Sequence, residues 1–123
     1  GPVTLESNSE DLQLLSKDAV SIGVIVTELA TNAVKYAFPG NAEGTVTVSL
    51  TSRHDGETYV LRVSDDGVGL DSGSSTLSGG LGSRIVDRLA AALGGDVERT
   101  ELVTGSERPG TVVSVIFPNP RLI

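Results

Sequence analysis

The stretch Glu28-Leu-Ala-Thr-Asn32-Ala-Val-Lys35-Tyr36-Ala-Phe38 ends a long run of apolar residues that begins near Ala19. On a helix each residue turns by about 100°, so Glu28, Asn32 and Lys35 fall within about 60° of one another. The rest of the segment is mostly apolar, which predicts a buried helix. Burying an acid, an amide and a lysine without partners is unfavourable, so this polar stripe is expected to face a cavity or a ligand. The alternative is that Glu28 and Lys35 only flank the solvent-exposed face of the helix.

Length and composition exclude several classes of protein. A chain of 123 residues is long enough for one domain with a single core. Without cysteine, disulfide scaffolds and thiol catalysis are excluded, and His54, the one histidine, cannot by itself build a histidine-based metal site. The net charge of −7 has the wrong sign for binding nucleic acid or an anionic membrane. No apolar run approaches the roughly 20 residues of a membrane span.

The first two residues, Gly1-Pro2, look like the scar of a cleaved purification tag. We therefore expect residues 3–123 to form one domain, excised from a longer protein.

Periodicity predicts a mixed set of strands and helices. The predicted strands are Val3–Glu6 (at a sheet edge), Thr45–Arg53, Thr58–Ser64, Asp96–Thr100 and Thr111–Phe117. A polar loop is expected at Ser7–Asp11 and a hairpin turn at His54–Glu57, where His54 would be solvated. A turn is also expected at Gly105–Gly110.

Two helices complete the pattern. The first is expected to start with Ser16 as its N-cap and Asp18 in its first turn, and to end near Phe38, before Pro39-Gly40-Asn41. The second is expected to open at Gly80–Ser83 and to be capped by Gly94-Gly95. Its apolar positions are Leu81, Ile85, Val86, Leu89, Ala92 and Leu93. Between the strands and this helix, the Ser- and Gly-rich Leu70–Gly80 is predicted to be a mobile flap.

This element order predicts a two-layer α/β (α+β) sandwich. Strands joined by hairpins favour a mixed, mostly antiparallel sheet, with the helices packed on one face. A Rossmann unit, which alternates strand and helix around a parallel sheet, does not fit this order.

Two glycine-containing motifs are candidate ligand sites. Asp65-x-Gly67-x-Gly69 places a carboxylate at a strand end, followed by glycines that let a ligand approach the backbone. Such a carboxylate can accept a hydrogen bond from the exocyclic amine of adenine, whereas guanine offers a carbonyl there. An ordinary Asp-Gly turn is the alternative.

The second motif is Gly79-Gly80-Leu81-Gly82-Ser83, directly before a helix, where backbone N–H groups can point at an anion. Arg84 and Arg88 would add positive charge, and a flexible hinge is the alternative. The GxxxxGK[ST] phosphate loop is absent.

Further residue types fit phosphoryl transfer. Asn32 offers a neutral oxygen suited to Mg²⁺, and Lys35 on the same helix face can pair with phosphate oxygens. Glu28 can orient or deprotonate an attacking group. The hydroxyl of Thr111 can join Asp65 at adenine, directly or through water, unless it is simply a threonine at a strand edge.

In this order, the motifs resemble those of the ATP-binding domain shared by gyrase, the MutL mismatch-repair proteins and sensor histidine kinases. Glu28–Phe38 resembles the N box of that superfamily, Asp65–Gly69 and Gly79–Ser83 its two glycine boxes, and Gly110-Thr111 its terminal threonine motif. Within it, the chain looks most like the histidine kinases with a short lid and a Glu-led N box.

The resemblance implies the Bergerat ATP-binding fold, with ATP and Mg²⁺ as cofactors. It implies Asn32 as the Mg²⁺ ligand, Lys35 and Tyr36 on the nucleotide, Asp65 on adenine and the lid glycines on phosphate. The phosphate acceptor would be a histidine on a separate dimerisation domain of the same protein, and a response regulator would act downstream. The expected setting is cytoplasmic, without nucleic acid or membrane contact by this domain, which would be monomeric alone and part of a homodimer in the full-length protein.

The chain departs from the pattern of many histidine kinases at three points. The segment Leu70–Gly80 contains no phenylalanine, and Leu61-Arg62-Val63 stands where a related subgroup has Trp-x-Glu. An acceptor histidine on a helix is missing, because His54 is in a predicted turn. The domain is therefore expected to bind ATP but not to complete autophosphorylation alone.

Other functions fit parts of this pattern. An anti-sigma-factor-type serine protein kinase is one, although Lys35-Tyr36 argues against it. A module that senses ATP without transferring phosphate is another. A gyrase-like ATPase fits least, because the chain has no room for a transducer domain.

Overall fold

The computed structural model describes residues 3–9, 12, 14–34, 44–54, 56–67, 81–100 and 110–119. The elements in this part of the chain are β1 (Val3–Ser9), α1 (Ser16–Asn32), β2 (Gly44–Arg53), β3 (Thr58–Asp65), α2 (Leu81–Ala92), β4 (Asp96–Thr100) and β5 (Thr111–Pro118). The predicted order of strands and helices is confirmed. Among the described residues, none of the helices has the length and apolar character needed to cross a membrane.

The strands form one sheet in the order β1-β2-β3-β5-β4. Among the strands that the structure describes, β1 and β2 are parallel and the other neighbouring pairs are antiparallel, as predicted. The edge strand β1 is longer than predicted, because its pairing with β2 continues to Ser9 opposite Leu50. The predicted loop is therefore wrong at Ser7–Ser9, where backbone pairing holds polar residues in a strand.

Both helices pack on the same face of the sheet. In β2, alternation points Val46, Val48 and Leu50 to this face and leaves Thr47, Ser49 and Thr51 on the other. The buried core shared by the helices and the central strands consists of Ile22, Ile25, Tyr59, Leu61, Val86, Ala90, Leu93, Val115 and Phe117. The predicted two-layer α/β sandwich is confirmed.

The long helix α1 is buried on one face only. Ile22 and Ile25 lie in the core, but Val20 and Val34 are 68% and 51% exposed. The prediction of a buried helix is therefore wrong for its outer face, because a helix on the outside of a two-layer domain packs only one side against the sheet.

The start of α1 also differs from the prediction. Leu15 is the N-cap and makes no side-chain capping hydrogen bond, so the prediction of Ser16 as the cap is wrong by one residue. Asp18 lies in the first turn, as predicted, and is buried. The predicted end near Phe38 and the stop at Pro39–Asn41 lie outside the described residues.

Glycines end α2 as predicted. The N–H of Gly95 donates to the carbonyl of Ala90 and the N–H of Gly94 to that of Ala91, each at 2.9 Å. Gly94 has a φ of 75°, so this is a Schellman cap. The core positions are Val86, Ala90 and Leu93, spaced by four and three residues. Ala92, one of the apolar positions of the predicted helix, is exposed.

The hairpin between β2 and β3 has the predicted turn, in which Gly56 N–H donates to Arg53 and Glu57 N–H to His54. His54 is exposed with a φ of 56°, which confirms a solvated turn residue. The predicted flap Leu70–Gly80 lies outside the described residues, as does all of the predicted Gly105–Gly110 turn except Gly110.

Candidate functional site

The central strand β3 ends in a buried carboxylate. Asp65 is its last residue and lies opposite Val46 of β2 on one side and Thr111 of β5 on the other. Asp65 is only 7% exposed and Thr111 only 9%. A carboxylate and a hydroxyl residue are thus buried side by side at one end of the sheet.

The turn after Asp65 is attached to the start of β5. Asp65 Oδ1 accepts a hydrogen bond from the N–H of Gly67 at 2.9 Å. The carbonyl of Gly67 in turn accepts one from the N–H of Gly110 at 2.9 Å. Gly110 is buried and has a φ of 71°, a backbone conformation that favours glycine. The glycines of these two motifs therefore meet, although 43 residues separate them in the chain.

The turn contains a further polar residue, Asp66, which the sequence motifs do not single out. The N–H of Thr45 donates to Asp66 Oδ1 at 2.8 Å, and the N–H of Asp66 donates to the carbonyl of Thr45 at 3.3 Å. Asp66 thus attaches the turn to β2, while Gly67 attaches it to β5. In the sequence, Asp66 is visible only as the second of two consecutive aspartates at a strand end. Its role depends on Thr45, which is 21 residues away.

The C-terminal part of α1 lies over the same end of the sheet. Ala33 is buried against Val46 and Val63, and Val46 is the residue opposite Asp65. Asn32, directly before Ala33, and Glu28, one turn earlier, are both half-buried. The chain stays helical at Ala33, whose N–H donates to the carbonyls of Leu29 and Ala30. Asn32, Asp65 and Thr111 are thus brought to one end of the domain.

The C-terminal end of α2 is far from Asp65 and Thr111. A Cβ on Gly95 would lie 2.8 Å from Cβ of Phe117 and closer still to the carbonyl oxygen of Ile116, so α2 ends beside the end of β5 that is remote from Thr111. The N-terminal end of α2 is therefore the end directed towards the Asp65 side of the sheet.

The structure describes only part of the remaining predicted site. Leu81, Gly82 and Ser83 are the first three residues of α2, as predicted, and Arg84 and Arg88 are exposed on it. Lys35, Tyr36, Gly69, Gly79 and Gly80 lie outside the described residues.

The described side chains fit the groups predicted for them. A carboxylate buried beside a hydroxyl can accept a hydrogen bond from an amine, and such a bond is stronger in a site shielded from water. A half-buried amide at a helix end offers the hard oxygen that Mg²⁺ takes alongside water and phosphate ligands. An ordinary Asp-Gly turn remains an alternative interpretation of Asp65, because its carboxylate makes the local bond to Gly67.

The chain matches a known protein family over most of its length. The family described as histidine kinase-, DNA gyrase B-, and HSP90-like ATPase matches residues 17–121. Blue-light-activated histidine kinase 2 of Erythrobacter litoralis is 32% identical over 119 residues, which are 96% of this chain and 33% of that protein. The anti-sigma F factor of Priestia megaterium is 31% identical over 70 residues, which are 57% of this chain and 47% of that protein.

A solved structure agrees with these matches. The histidine kinase domain from the Erythrobacter litoralis EL346 blue-light activated histidine kinase superimposes with a TM-score of 0.81 at 28% sequence identity. The match covers 98% of this chain and 57% of that one. The chain thus spans about a third of the full-length kinase relative and somewhat more than half of the solved kinase domain. The predicted resemblance to histidine kinase ATP-binding domains is confirmed.

Proposed function

Because this chain belongs to the family of histidine kinase-, DNA gyrase B-, and HSP90-like ATPases, we propose that it binds Mg-ATP and donates the γ-phosphate to a histidine on a separate dimerisation domain. The pathway would be two-component signal transduction. The observation that carries this proposal is the pairing of buried Asp65 with Thr111 at the end of the sheet where α1 presents Asn32.

Asp65 is assigned to adenine. Its carboxylate accepts a hydrogen bond from the exocyclic amine, and Thr111 adds its hydroxyl directly or through water. Guanine carries a carbonyl at that position, so a buried acceptor would face another acceptor and the contact would be lost. This arrangement selects ATP over GTP.

Asn32 is assigned to Mg²⁺ and the second glycine motif, Gly79–Ser83, to the phosphates. The ion would neutralise charge on the β- and γ-phosphate oxygens. Gly79 and Gly80 belong to this motif, and Leu81–Ser83 at the start of α2 supplies N–H groups to the anion. Gly67 and Gly69 of the first motif let the nucleotide approach the backbone beside Asp65. Lys35 and Tyr36 complete the contacts to the nucleotide.

Glu28 is the proposed catalytic residue. It lies one helical turn before Asn32 and is half-buried on the same side of α1. From there it would orient or deprotonate the attacking imidazole while γ-phosphate transfer proceeds in line.

The assignment has consequences for partners. The acceptor is a dimerisation domain of the same protein, and the phosphate then passes to a response regulator. The domain is proposed to be monomeric alone, to act within a homodimer and to function in the cytoplasm.

Isothermal titration of this chain with ATP and GTP, each with and without Mg²⁺, tests the nucleotide site. Saturable binding of ATP, strengthened by Mg²⁺ and absent for GTP, is the expected result. Equal binding of ATP and GTP would contradict the adenine contact, and no binding of either would contradict the proposal as a whole.

The similarity to an anti-sigma F factor favours a second candidate, transfer to serine on a partner protein. The two are separated by the stability of the labelled product after incubation with γ-³²P-ATP and an acceptor domain. Phosphohistidine is lost in acid and survives alkali, whereas phosphoserine survives acid and is lost in alkali. Label that survives acid would favour the second candidate.

A further inference from the structure

We propose that Asp66 is a positioning residue for nucleotide binding, because its carboxylate closes the β2–β3 ladder and so sets the turn that presents Asp65. This inference rests on the proposed function for its affinity measurement. The measurement of amide hydrogen exchange without nucleotide is independent of the proposed function.

At Asp66, a side-chain oxygen accepts a hydrogen bond that a backbone carbonyl would accept in a regular strand pair. The pair Thr45 and Asp66 continues the antiparallel register one step beyond Val46 and Asp65. A hydrogen-bonded pair in such a ladder exchanges two backbone N–H···O bonds. Here one is present, from Asp66 N–H to the carbonyl of Thr45 at 3.3 Å, while the N–H of Thr45 donates to Asp66 Oδ1 at 2.8 Å.

The carboxylate therefore occupies the position that the Asp66 carbonyl would take in a continued strand. The ladder is closed at Thr45 while the chain turns away at Asp66. In the next residue, the N–H of Gly67 donates to Asp65 and its carbonyl accepts from Gly110. The turn is thus attached to β2 through Asp66 and to β5 through Gly67, with Asp65 between the two attachments.

This geometry requires a particular type of side chain at residue 66. The N–H of Thr45 needs an acceptor atom at the distance of Oδ1, and negative charge is secondary because Asp66 is exposed to solvent. Asp66→Asn keeps an oxygen at that distance. Asp66→Glu keeps the charge but displaces the oxygen by one methylene, and Asp66→Ala removes the acceptor.

These three variants and a control test the inference. Asp96 is an exposed aspartate opposite Ile116, at the other end of the sheet, so Asp96→Ala removes the same side chain away from the turn. We expect Asp66→Ala and Asp66→Glu to weaken ATP binding about tenfold, while Asp66→Asn and Asp96→Ala stay within about threefold of the parent chain.

A measurement without nucleotide separates this inference from the proposed function. Asp66→Ala and Asp66→Glu are expected to speed amide hydrogen exchange at Gly67 and Gly110, and Asp66→Asn is not. If the parent chain binds no ATP, the proposed function fails and these exchange rates alone decide the role of Asp66. If Asp66→Ala does not fold, the comparison of Asp66→Glu with Asp66→Asn decides it.

Two outcomes would overturn the inference. One is an Asp66→Asn variant that is as impaired as Asp66→Glu, since acceptor position would then not be what matters. The other is unchanged exchange at Gly67 and Gly110 in every Asp66 variant that folds.

Discussion

Asp65 and Thr111 lie directly opposite each other at the ends of β3 and β5, and both are almost completely buried. Polar groups are rarely buried unless they are hydrogen-bonded, and Gly67 already supplies one partner of the carboxylate. The pair belongs to strands that are adjacent in space but not in sequence.

Replacing Asp65 with Asn is expected to weaken ATP binding about tenfold to a hundredfold, since a hydrogen bond to a charged group is worth about 1.5–3 kcal/mol. The amide oxygen of Asn still accepts from Gly67 N–H, but its amino group would face the amine of adenine. The preference for ATP over GTP should fall as well. Titration with both nucleotides measures this, with Asp96→Asn as the control. If Asp65→Asn retained both affinity and preference, the adenine contact would be ruled out.

Replacing Thr111 with Val removes the hydroxyl and keeps the shape of the side chain. We expect ATP affinity to fall by about threefold to tenfold, which corresponds to one neutral hydrogen bond. The free energy of unfolding, measured with urea, should change by less than about 1 kcal/mol. Thr58→Val makes the same chemical change at the other end of β3 and should leave ATP affinity unaltered. Equal effects of the two variants would show that Thr111 has no specific role.

Replacing Asn32 with Ala is expected to abolish the part of ATP affinity that depends on Mg²⁺ and to leave the fold intact. The reason is the loss of the amide oxygen that the end of α1 offers to the ion. Titration with and without Mg²⁺ measures the effect. Thr31→Ala, at the exposed neighbouring position, is the matched control. A Mg²⁺ effect of the same size in Asn32→Ala and in the parent chain would contradict the role as metal ligand.

Two glycine substitutions are expected to change stability in opposite directions. At Gly95 an added Cβ would collide with the carbonyl oxygen of Ile116 and with Cβ of Phe117. Gly95→Ala should therefore lower the free energy of unfolding by about 2 kcal/mol or more, because the backbone must shift.

Gly23 lies in the interior of α1, where an added Cβ would have no atom within 4 Å. Gly23→Ala should raise the free energy of unfolding by about 0.5–1 kcal/mol, because alanine loses less backbone entropy in a helix. Urea denaturation of both variants measures the difference. If Gly95→Ala were no less stable than the parent chain, the close packing of α2 against β5 would be wrong.

Patterns that repeat along the chain predicted most of the fold. Alternating or continuous runs of apolar and β-branched residues predicted β2, β3, β4 and β5 nearly to the residue, and glycines predicted the cap of α2. One error occurred where an element depends on a distant partner. Ser7–Ser9 is polar, yet pairing with β2 makes it part of a strand. The error at the N-cap of α1 is a local one, because Leu15 and not Ser16 holds that position.

The candidate site likewise has features that the sequence predicts and features that it does not. Its motifs could be recognised from residue types and spacing, because a carboxylate followed by glycines, or an amide on a helix, carries its chemistry locally. The contacts among the motifs could not be predicted from periodicity. Examples are the bond from Gly110 to Gly67 and the bond from Thr45 to Asp66.

By itself, the amino-acid sequence determined the order of the elements and the residue types available for nucleotide chemistry. These properties follow from local preferences and from the side-chain periods of helices and strands. Only the tertiary structure decided that Asp65 is buried opposite Thr111, that Asp66 holds the turn to β2, and that the outer face of α1 is exposed. Those properties depend on which strands become neighbours and on how many layers the domain has, and both are set by packing between segments that are far apart in the chain.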